Sequence, residues 1–440
     1  MPLDLFPYQV EGAAFLAPRY RAGLFDVPGV GKTAQAIRAL EDADCTRIIV
    51  VCPAALRENW RAEMRKFGRR PLRIIKGNNI HDVGAWLKGR ADVLILSYER
   101  AAKWYKHLSE DLFDALVFDE SQALKGSDSL RTRHMLGTHC DGNEGLARMA
   151  GRVWFLTGTP IPNDPADIWP WARFCGATKL SKAQFLARYM SMRATTFGMR
   201  ASPREQMVPE LRALIEAYSL RRSKEQVGLQ IPPIFLTTAT IDGDTAEIRE
   251  LLREHPGLEE AVRVAVEQGG LSMLANMELP IATLRRLVGE VKAPAYAEML
   301  ATEFAGGRAK TVIMGLHVKA LAMIHESLAL RGVKGLLLTD ASKATEFVNR
   351  FQSDPTLMYF AVNIKRGGTG LTLTAAADID MFESDWVPGN NEQALMRVHR
   401  VGQDKHVQAR FIALADSIDA YVTDTVARKT ATILKLDTAT

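Results

Sequence analysis

Short apolar runs alternate with amphipathic helical patterns along the first part of the chain. Five runs are typical of buried strands, namely GLFDV, RIIVVC, DVLILS, ALVFDE and VWFLTG at 23–27, 47–52, 92–97, 115–120 and 153–158. Runs this apolar and β-branched suit strands buried on both faces of a parallel sheet. Segments such as residues 55–67 between them have a helical pattern. The alternation predicts a doubly wound α/β domain, in which ligands bind beyond the carboxyl ends of the strands.

The pattern changes twice further along the chain. From about Leu180 to Val291 helical patterns dominate and strand patterns are scarce. Apolar runs resume at 311–316, 335–339, 358–362, 378–383 and 409–414, which predicts a second α/β unit. We therefore predict a first lobe at residues 1–180, a mostly helical insert at 181–291 and a second lobe at 292–440.

Composition narrows the class of protein. Of 440 residues, 47% are hydrophobic and 24% charged, as in soluble globular proteins, and the formal charge of +5 permits nucleic-acid binding without indicating it. The four cysteines contain no C-x-x-C pair, which favours free thiols in a reducing compartment. The N-terminal residues do not resemble a signal peptide, and the apolar runs are too short to span a bilayer. We expect a cytoplasmic protein with no membrane partner.

The segment DVPGVGKT at 26–33 lies directly before a helical pattern. A Gly-rich turn that opens a helix directs backbone N–H groups and the positive helix end at one point, which suits a phosphate chain. Lys32 would reach the outer phosphates, and the Thr33 hydroxyl would bind Mg²⁺. Asp26 stands where the G-x-x-x-x-G-K-[ST] pattern has its first Gly. The alternative is a Gly-rich loop with a solvated lysine.

Asp119 and Glu120 follow the apolar run ALVF. An Asp at a strand end beside a phosphate loop can hold Mg²⁺, and the next Glu can polarise an attacking water. The alternative is a solvated acidic pair in a turn. Together with Lys32 and Thr33, the pair favours hydrolysis of a nucleoside triphosphate.

Two arginines in the second half are candidates for stabilising charge on the phosphate. Arg397 and Arg400 lie in EQALMRVHRVGQ at 392–403, and their spacing would place both on one helix face. Fast triphosphate hydrolysis usually needs such a cation. Because they belong to the second unit, we expect a cleft between the two lobes to complete the site. The alternative is a basic helix end with surface arginines.

These motifs, in this order, resemble the Swi/Snf-type family of superfamily-two helicase-like DNA-dependent ATPases. The likeness runs over nearly the whole chain, and LTGTPIPN and EQALMRVHRVGQ are its most specific parts. It is carried by FPYQVEGAAFL (6–16), DVPGVGKT (26–33), IVVCPAALRENWRAEMRKF (49–67), LILSYER (94–100), DESQALKG (119–126), LTGTPIPN (156–163), SLRRSKEQV (219–227), KTVIMGLH (310–317), IKRGGTGLTLTAA (364–376) and EQALMRVHRVGQ (392–403).

The resemblance implies two RecA-like lobes that use ATP and Mg²⁺. It assigns ATP contacts to Gln9, Pro28, Gly29, Val30, Gly31, Lys32, Thr33 and Gly370, with Mg²⁺ on Thr33 and Asp119. It assigns catalysis to Lys32, Asp119, Glu120, Arg397 and Arg400. It assigns the coupling of nucleotide state to DNA to Gln122, Thr157, Gly158, Thr159 and Gln403.

The chain departs from the family pattern at three positions. Val27 replaces an acidic residue of the family's first motif, here DVPGVGKT, and Thr372 stands where the fifth motif, here IKRGGTGLTLTAA, often has Asn. Gln122 stands where His is more frequent in the family's second motif, here DESQALKG, and its amide could make similar hydrogen bonds. None of these changes removes Lys32, Asp119 or Glu120, so we expect an active ATPase.

By resemblance, double-stranded DNA is the expected partner, held through phosphate contacts largely without sequence preference. The implied contacts are Pro53, Ala54, Ser97 and Tyr98 in the first lobe, and His317, Gly368 and Thr369 in the second. The predicted function is an ATP-dependent double-stranded DNA translocase or remodeller. A protein partner would supply specificity, and a bacterial or phage origin is expected. The alternatives are a strand-separating helicase and a nucleotide-dependent clamp with little turnover.

Overall fold

The chain folds as two compact units, Met1–Val227 and Gly228–Thr440. The structure, a computed structural model, describes residues 4–161, 165–195, 198–229, 231–268, 277–364 and 371–438. Each unit is built on its own parallel β-sheet. The prediction of two α/β parallel-sheet lobes is therefore confirmed.

The first unit contains nine strands and nine α-helices among the described residues. The strands are β1 (Arg21–Leu24), β2 (Ile48–Cys52), β3 (Ile74–Lys76), β4 (Val93–Ser97), β5 (Phe113–Asp119), β6 (Ala150–Leu156), β7 (Met190–Thr195), β8 (Gly198–Pro203) and β9 (Ser219–Leu220). The helices are α1 (Pro7–Leu16), α2 (Lys32–Asp42), α3 (Arg57–Phe67), α4 (Ile80–Leu87), α5 (Tyr98–Leu108), α6 (Leu130–Leu136), α7 (Trp169–Cys175), α8 (Lys182–Tyr189) and α9 (Val208–Glu216).

The first sheet has the strand order β3-β4-β2-β5-β6-β1-β9, with every pair parallel, while β7 and β8 form a separate antiparallel pair. Strand β2 is buried along its whole length. Its Ile49 and Val51 belong to one apolar cluster, and Ile48 and Val50 belong to another. Because successive side chains of a strand point to opposite faces, the two clusters lie on opposite sides of the sheet. This burial explains the continuous apolar runs in the sequence.

The second unit contains six strands and seven α-helices among the described residues. The strands are β10 (Ile234–Ile241), β11 (Thr311–Gly315), β12 (Gly335–Leu338), β13 (Tyr359–Asn363), β14 (Asp378–Met381) and β15 (Val407–Leu414). The helices are α10 (Ala246–Glu254), α11 (Leu258–Gln268), α12 (Glu278–Ala305), α13 (Val318–Leu330), α14 (Ala344–Ser353), α15 (Pro388–Leu395) and α16 (Ile418–Thr438). Its parallel sheet has the order β10-β15-β14-β11-β13-β12.

The structure divides the middle of the chain differently from the predicted insert at 181–291. The boundary between the units lies at Val227 and Gly228. Strand β9 pairs with β1 of the first sheet, and β10 pairs with β15 of the second. In the sequence, an edge strand with a half-exposed pattern such as IFLTTATI is harder to recognise than the helical segments around it. The segment is therefore shared between the two units through these edge strands.

Among the described residues, no helix has both the length and the apolar character required to cross a bilayer.

Candidate nucleotide-binding site

The Gly-rich loop lies between the end of β1 and the start of α2. Gly29 and Gly31 have φ values of 91° and 79°, in the left-handed region that glycine adopts without strain. A Cβ at Gly31 would also lie 2.4 Å from the Gln9 side-chain nitrogen. Gly31 is the N-cap of α2, so the free N–H groups of the first helical turn face the loop. The loop thus has the local geometry of a phosphate-binding site.

Lys32 lies at the start of α2 with its ammonium group close to the backbone of the loop. Its Nζ donates hydrogen bonds to the carbonyl oxygens of Asp26 at 2.6 Å and Val27 at 3.2 Å. Burial lowers the pKa of Lys32, and the carboxylates of Glu120, Asp26 and Asp119 oppose that shift. The Val27 contact is made by its backbone carbonyl, so it does not depend on which side chain stands at this position.

Gln9 connects the first helix to the phosphate loop. Its Nε2 donates to the Val30 carbonyl at 3.2 Å, and its Oε1 accepts the Phe6 backbone N–H at 3.1 Å. The side chain is 7% exposed. The structure therefore places Gln9 at the loop, where the sequence predicted it, and its role as a base-reading residue stays a prediction.

A buried ion pair that was not predicted from the sequence fixes the start of the phosphate loop, at Asp26. Arg222 donates through Nη2 and Nε to the two carboxylate oxygens of Asp26, at 2.6 and 3.1 Å. Gln35 joins the pair by accepting from Arg222 at 2.9 Å and donating to Asp26 at 3.2 Å. Asp26 is completely buried, and two-point arginine contact is a strong form of carboxylate recognition. The sequence feature that could have indicated this ion pair is the two adjacent arginines of SLRRSKEQV.

Asp119 is the last residue of β5 and Glu120 follows it, and the two side chains lie in different environments. Asp119 is 8% exposed, and one of its oxygens accepts the Trp60 indole N–H at 2.7 Å. The other accepts the backbone N–H of Glu120 at 3.0 Å. Burial and the Glu120 carboxylate raise the pKa of Asp119 to about 6. Glu120 has a φ of 50°, a left-handed conformation that costs a non-glycine residue about 1–3 kcal/mol and is found at functional sites.

A chain of hydrogen bonds joins Glu120 to the segment LTGTPIPN at 156–163, which corresponds to the third motif of the family. The Gln122 Nε2 donates to Glu120 at 2.8 Å, and the Gln122 Oε1 accepts the Thr157 hydroxyl at 2.7 Å. The Thr157 oxygen in turn accepts the Thr159 backbone N–H at 3.0 Å. Three predicted coupling residues are thus assembled around Glu120, and Gln122 uses both ends of its amide. Their role in coupling stays a prediction.

The third motif also contacts the phosphate loop. A Cβ at Gly158 would lie 2.7 Å from the Cγ of Pro28. Only glycine permits this approach without displacing one of the two loops. The loops after β1, β5 and β6 therefore form one connected surface at the carboxyl edge of the first sheet.

The residues at this edge fit Mg²⁺. The candidate ligands, Thr33 and Asp119, offer the oxygen donors that this ion prefers. Burial and the Glu120 carboxylate raise the pKa of Asp119 in spite of Lys32 and the two N–H donors, so additional positive charge would favour its ionised form. No cluster of three or more His, Cys, Asp or Glu side chains suited to a metal occurs among the described residues. A Mg²⁺ ion carried by a triphosphate needs only one or two protein ligands, so the donor set suffices.

The residues predicted to contact DNA from the first unit lie at the ends of β2 and β4. Pro53 and Ala54 directly follow β2, and Ala54 is exposed. Ser97 is 4% exposed and caps α5 by accepting the Arg100 backbone N–H at 3.4 Å, and its DNA role stays a prediction. The predicted DNA contact of the Tyr98 side chain is corrected by the structure. This side chain is 2% exposed, and its hydroxyl donates to the Asp119 carbonyl at 2.8 Å. That hydrogen bond places the Tyr98 ring in the core, so its side chain cannot contact a DNA strand from this position.

The prediction that Arg397 and Arg400 share a helix face is wrong. Helix α15 ends at Leu395, and both arginines lie in the turns that follow. Tertiary contacts favour these turns: His399 Nε2 lies 2.8 Å from the Pro232 carbonyl, and Arg400 donates to the Leu371 carbonyl at 3.3 Å. The catalytic role of the arginines stays a prediction.

Two other predicted residues of the second unit have defined contacts. The Gln403 Nε2 donates to the Ala376 carbonyl at 2.7 Å, which anchors a neighbouring loop. His317 lies with its Nδ1 2.6 Å from the Glu383 carboxylate, which also accepts the His317 backbone N–H at 2.9 Å. The coupling role of Gln403 and the DNA role of His317 stay predictions. Gly368, Thr369 and Gly370 lie outside the described residues.

Comparisons with known proteins identify relatives of this chain. One similar protein, "SWI/SNF-related matrix-associated actin-dependent regulator of chromatin subfamily A-like protein 1" of Drosophila melanogaster, is 26% identical over 98% of this chain and 56% of its own length. The DNA annealing helicase and endonuclease ZRANB3 of Homo sapiens is 25% identical over 97% of this chain and 40% of its own length. The chain therefore spans about half the length of the curated relatives it matches.

A solved structure and a family model also match. The Sulfolobus solfataricus SWI2/SNF2 ATPase core in complex with double-stranded DNA is 20% identical, with a TM-score of 0.45, over 99% of this chain and 96% of that one. The model of the SNF2-related domain matches residues 8–248. Since this match covers more than half of the sequence, the chain belongs to the SNF2-related domain family of Swi/Snf-type helicase-like ATPases.

Proposed function

We propose that this chain is the motor part of an ATP-dependent translocase on double-stranded DNA. The observation that carries the proposal is the connected set of side chains at the carboxyl edge of the first sheet. There the phosphate loop, the Asp119–Glu120 pair and the third motif contact one another through Pro28, Gly158, Gln122 and Thr157. A set assembled in this way suits triphosphate hydrolysis, and family membership supports the same activity.

The residues of the site have distinct roles in this proposal. The N–H groups at the start of α2 bind the phosphate chain, and Lys32 exchanges its carbonyl contacts for phosphate oxygens. Glu120 orients a water for attack and accepts its proton. Gln122 holds the Glu120 carboxylate in place and connects it to Thr157. When bound through Thr33 and Asp119, Mg²⁺ would neutralise phosphate charge.

On the DNA side, the proposal assigns contacts to the segments that follow β2 and β4. The backbone N–H group of Ala54 and the small side chains at Pro53, Ala54 and Ser97 suit phosphate contacts that carry no sequence information. Support comes from a relative named as a DNA annealing helicase and from the structural neighbour bound to double-stranded DNA. A protein partner that provides specificity is part of the proposal. So is a cytoplasmic location, in keeping with four buried free cysteines.

ATP turnover measured with single-stranded, double-stranded and forked DNA and with RNA tests the proposal. We expect duplex DNA to stimulate turnover and ATP to drive release of the third strand from a triplex. Separation of the strands of a forked duplex would favour the helicase alternative. Turnover that is absent, or that DNA does not change, would favour the clamp alternative and overturn the proposal.

A further inference from the structure

Trp60 lies on the helix that follows the predicted DNA contacts Pro53 and Ala54, yet its side chain faces the site. The segment after β2 passes Pro53 and Ala54 and continues into α3, which carries Trp60. The indole is 0% exposed, and its Nε1 donates to a carboxylate oxygen of Asp119 at 2.7 Å. A purely apolar side chain would fill the same space, so the N–H group supplies a contact that packing does not require.

Tyr98 makes a second contact of the same kind. It is the first residue of α5, directly after Ser97, which is another predicted DNA contact. Its hydroxyl donates to the backbone carbonyl of Asp119 at 2.8 Å, and its ring stacks on Phe118 with centroids 6.3 Å apart. The backbone and the carboxylate of Asp119 are therefore held from two different helices.

The strand order of the first sheet explains why both contacts reach one residue. Strands β4, β2 and β5 are neighbours in that order. In the registers of these pairs, Cys52 lies opposite Ser97, and Val51 lies opposite Phe118. The segments after β2 and β4 thus begin at the level where β5 reaches Asp119.

We propose that Trp60 and Tyr98 are positioning residues that transmit DNA contact at these two strand ends to the orientation of Asp119. The inference rests on the proposed function, and it names the side chains through which DNA would act on the ATP site. Each Asp119 oxygen accepts one N–H group within the protein, which leaves lone pairs for a metal ion or its waters. A shift of α3 or α5 on contact with DNA would turn the carboxylate through these hydrogen bonds.

The variants Trp60→Phe and Tyr98→Phe test the proposal, because each removes one donor and keeps an aromatic ring. Matched controls are Trp86→Phe and Tyr105→Phe. Trp86 is also 0% exposed and donates its indole N–H at 3.2 Å, but to the Asp92 carbonyl. Tyr105 lies on the same helix as Tyr98 and stacks on His134. Mn²⁺ affinity is measured with a non-hydrolysable ATP analogue, with and without duplex DNA, beside ATP turnover and the melting temperature.

We expect duplex DNA to increase Mn²⁺ affinity in the unaltered protein and in both controls. In Trp60→Phe we expect the affinity to fall about tenfold or more, as when a hydrogen-bond partner of a metal ligand is lost, and the effect of DNA to disappear. Tyr98→Phe should show the same pattern to a smaller extent, and it carries the test if Trp60→Phe does not fold.

The proposal is overturned if both variants bind Mn²⁺ as the controls do, or if DNA changes the affinity equally in all of them. The proposal is also overturned if duplex DNA does not change the Mn²⁺ affinity of the unaltered protein. Failure of the proposed function is distinguishable, because it would appear as ATP turnover that duplex DNA does not stimulate in the unaltered protein.

Discussion

Asp119 in the first unit and Asp380 in the second are both buried carboxylates of a parallel sheet, but their partners differ. Asp380 is completely buried and accepts hydrogen bonds from Arg308 and Arg410, each at 2.8 Å. Asp119 accepts its hydrogen bonds from the neutral N–H groups of Trp60 and Glu120. In the described part of the chain, no lysine or arginine is within salt-bridge distance of Asp119.

The difference separates a carboxylate that is satisfied within its own unit from one for which we propose a function. Asp380 also accepts the Tyr296 hydroxyl at 2.7 Å, so its oxygens are satisfied by groups of its own unit. Asp26 in the first unit is paired in the same way, with Arg222. The charge of Asp119 is oriented by neutral donors but not neutralised by them. Lys32 acts on this charge only from beyond salt-bridge distance, so a cation from outside the protein would add to its compensation.

Replacement of Glu120 by Gln should cause the greatest loss of ATP turnover. The amide keeps the shape of the side chain but cannot accept a proton, so ATP should still bind while turnover falls about 10³-fold or more. Single-turnover hydrolysis beside binding of a fluorescent ATP analogue measures both. As a control, Lys32→Ala should lose nucleotide binding as well. Near-normal turnover in Glu120→Gln would remove Glu120 from the catalytic step.

An effect of similar size on turnover is expected from Arg400→Ala. If the guanidinium stabilises charge on the transferred phosphate, DNA-stimulated turnover falls about 10³-fold or more. Arg253→Ala, at an exposed position of α10, is the matched control. An undiminished rate in Arg400→Ala, with an unchanged melting temperature, would assign this arginine to the Leu371 loop contact alone.

The variants Asp380→Asn and Asp119→Asn test whether the two carboxylates differ in their effects on stability and on ATP turnover. Asp380→Asn removes the buried carboxylate that the half-buried Arg308 and Arg410 share and leaves them Glu303 as their other shared partner. We expect a loss of about 3 kcal/mol in the free energy of unfolding, as when a buried ion pair is broken. Asp119→Asn should keep or raise that free energy, because burial disfavours the charge it removes, and it should abolish ATP turnover. Urea unfolding of both variants measures the contrast. Equal destabilisation would show that Asp119 is as structural as Asp380.

Much of this site was predictable because its parts are local in sequence. The Gly-rich turn before α2 and the acidic pair after β5 are short motifs at strand ends, where parallel sheets bind ligands. These motifs can be recognised without knowing which strands are neighbours in the sheet. The same holds for the predicted strand runs, since each overlaps an observed strand.

The contacts that orient these parts were not predictable, because they depend on strand order. Trp60 and Asp119 are 59 positions apart, and Asp26 and Arg222 are 196 apart. They meet because β2 lies beside β5 and β9 lies beside β1. The helix predicted through Arg400 failed for a related reason. The contacts of His399 and Gln403 with distant backbone carbonyls require turns, and they outweigh the local helical preference.

A smaller effect is expected from Gly158→Ala. The new methyl group would meet Pro28 at 2.7 Å, and the adjustment should cost about 1–3 kcal/mol and displace the phosphate loop. We expect a raised KM for ATP with a smaller change in kcat. Gly84→Ala is the control, because a Cβ at that position would have no atom within 4 Å beyond the neighbouring helix backbone. If both variants have the same KM, the contact between the two loops does not influence nucleotide binding.

The smallest effect that we expect comes from Gln122→Ala, which breaks the hydrogen-bond chain between Glu120 and Thr157. Glu120 keeps its backbone position but loses the amide donor at 2.8 Å, so kcat should fall about tenfold, equivalent to about 1.4 kcal/mol. KM for ATP and the melting temperature should change little, because the phosphate loop is untouched. Gln122→His, which restores the more frequent family residue, should recover most of the rate, since imidazole can donate to Glu120. A full rate in Gln122→Ala would mean that Glu120 is oriented by its left-handed backbone alone, without help from the third motif.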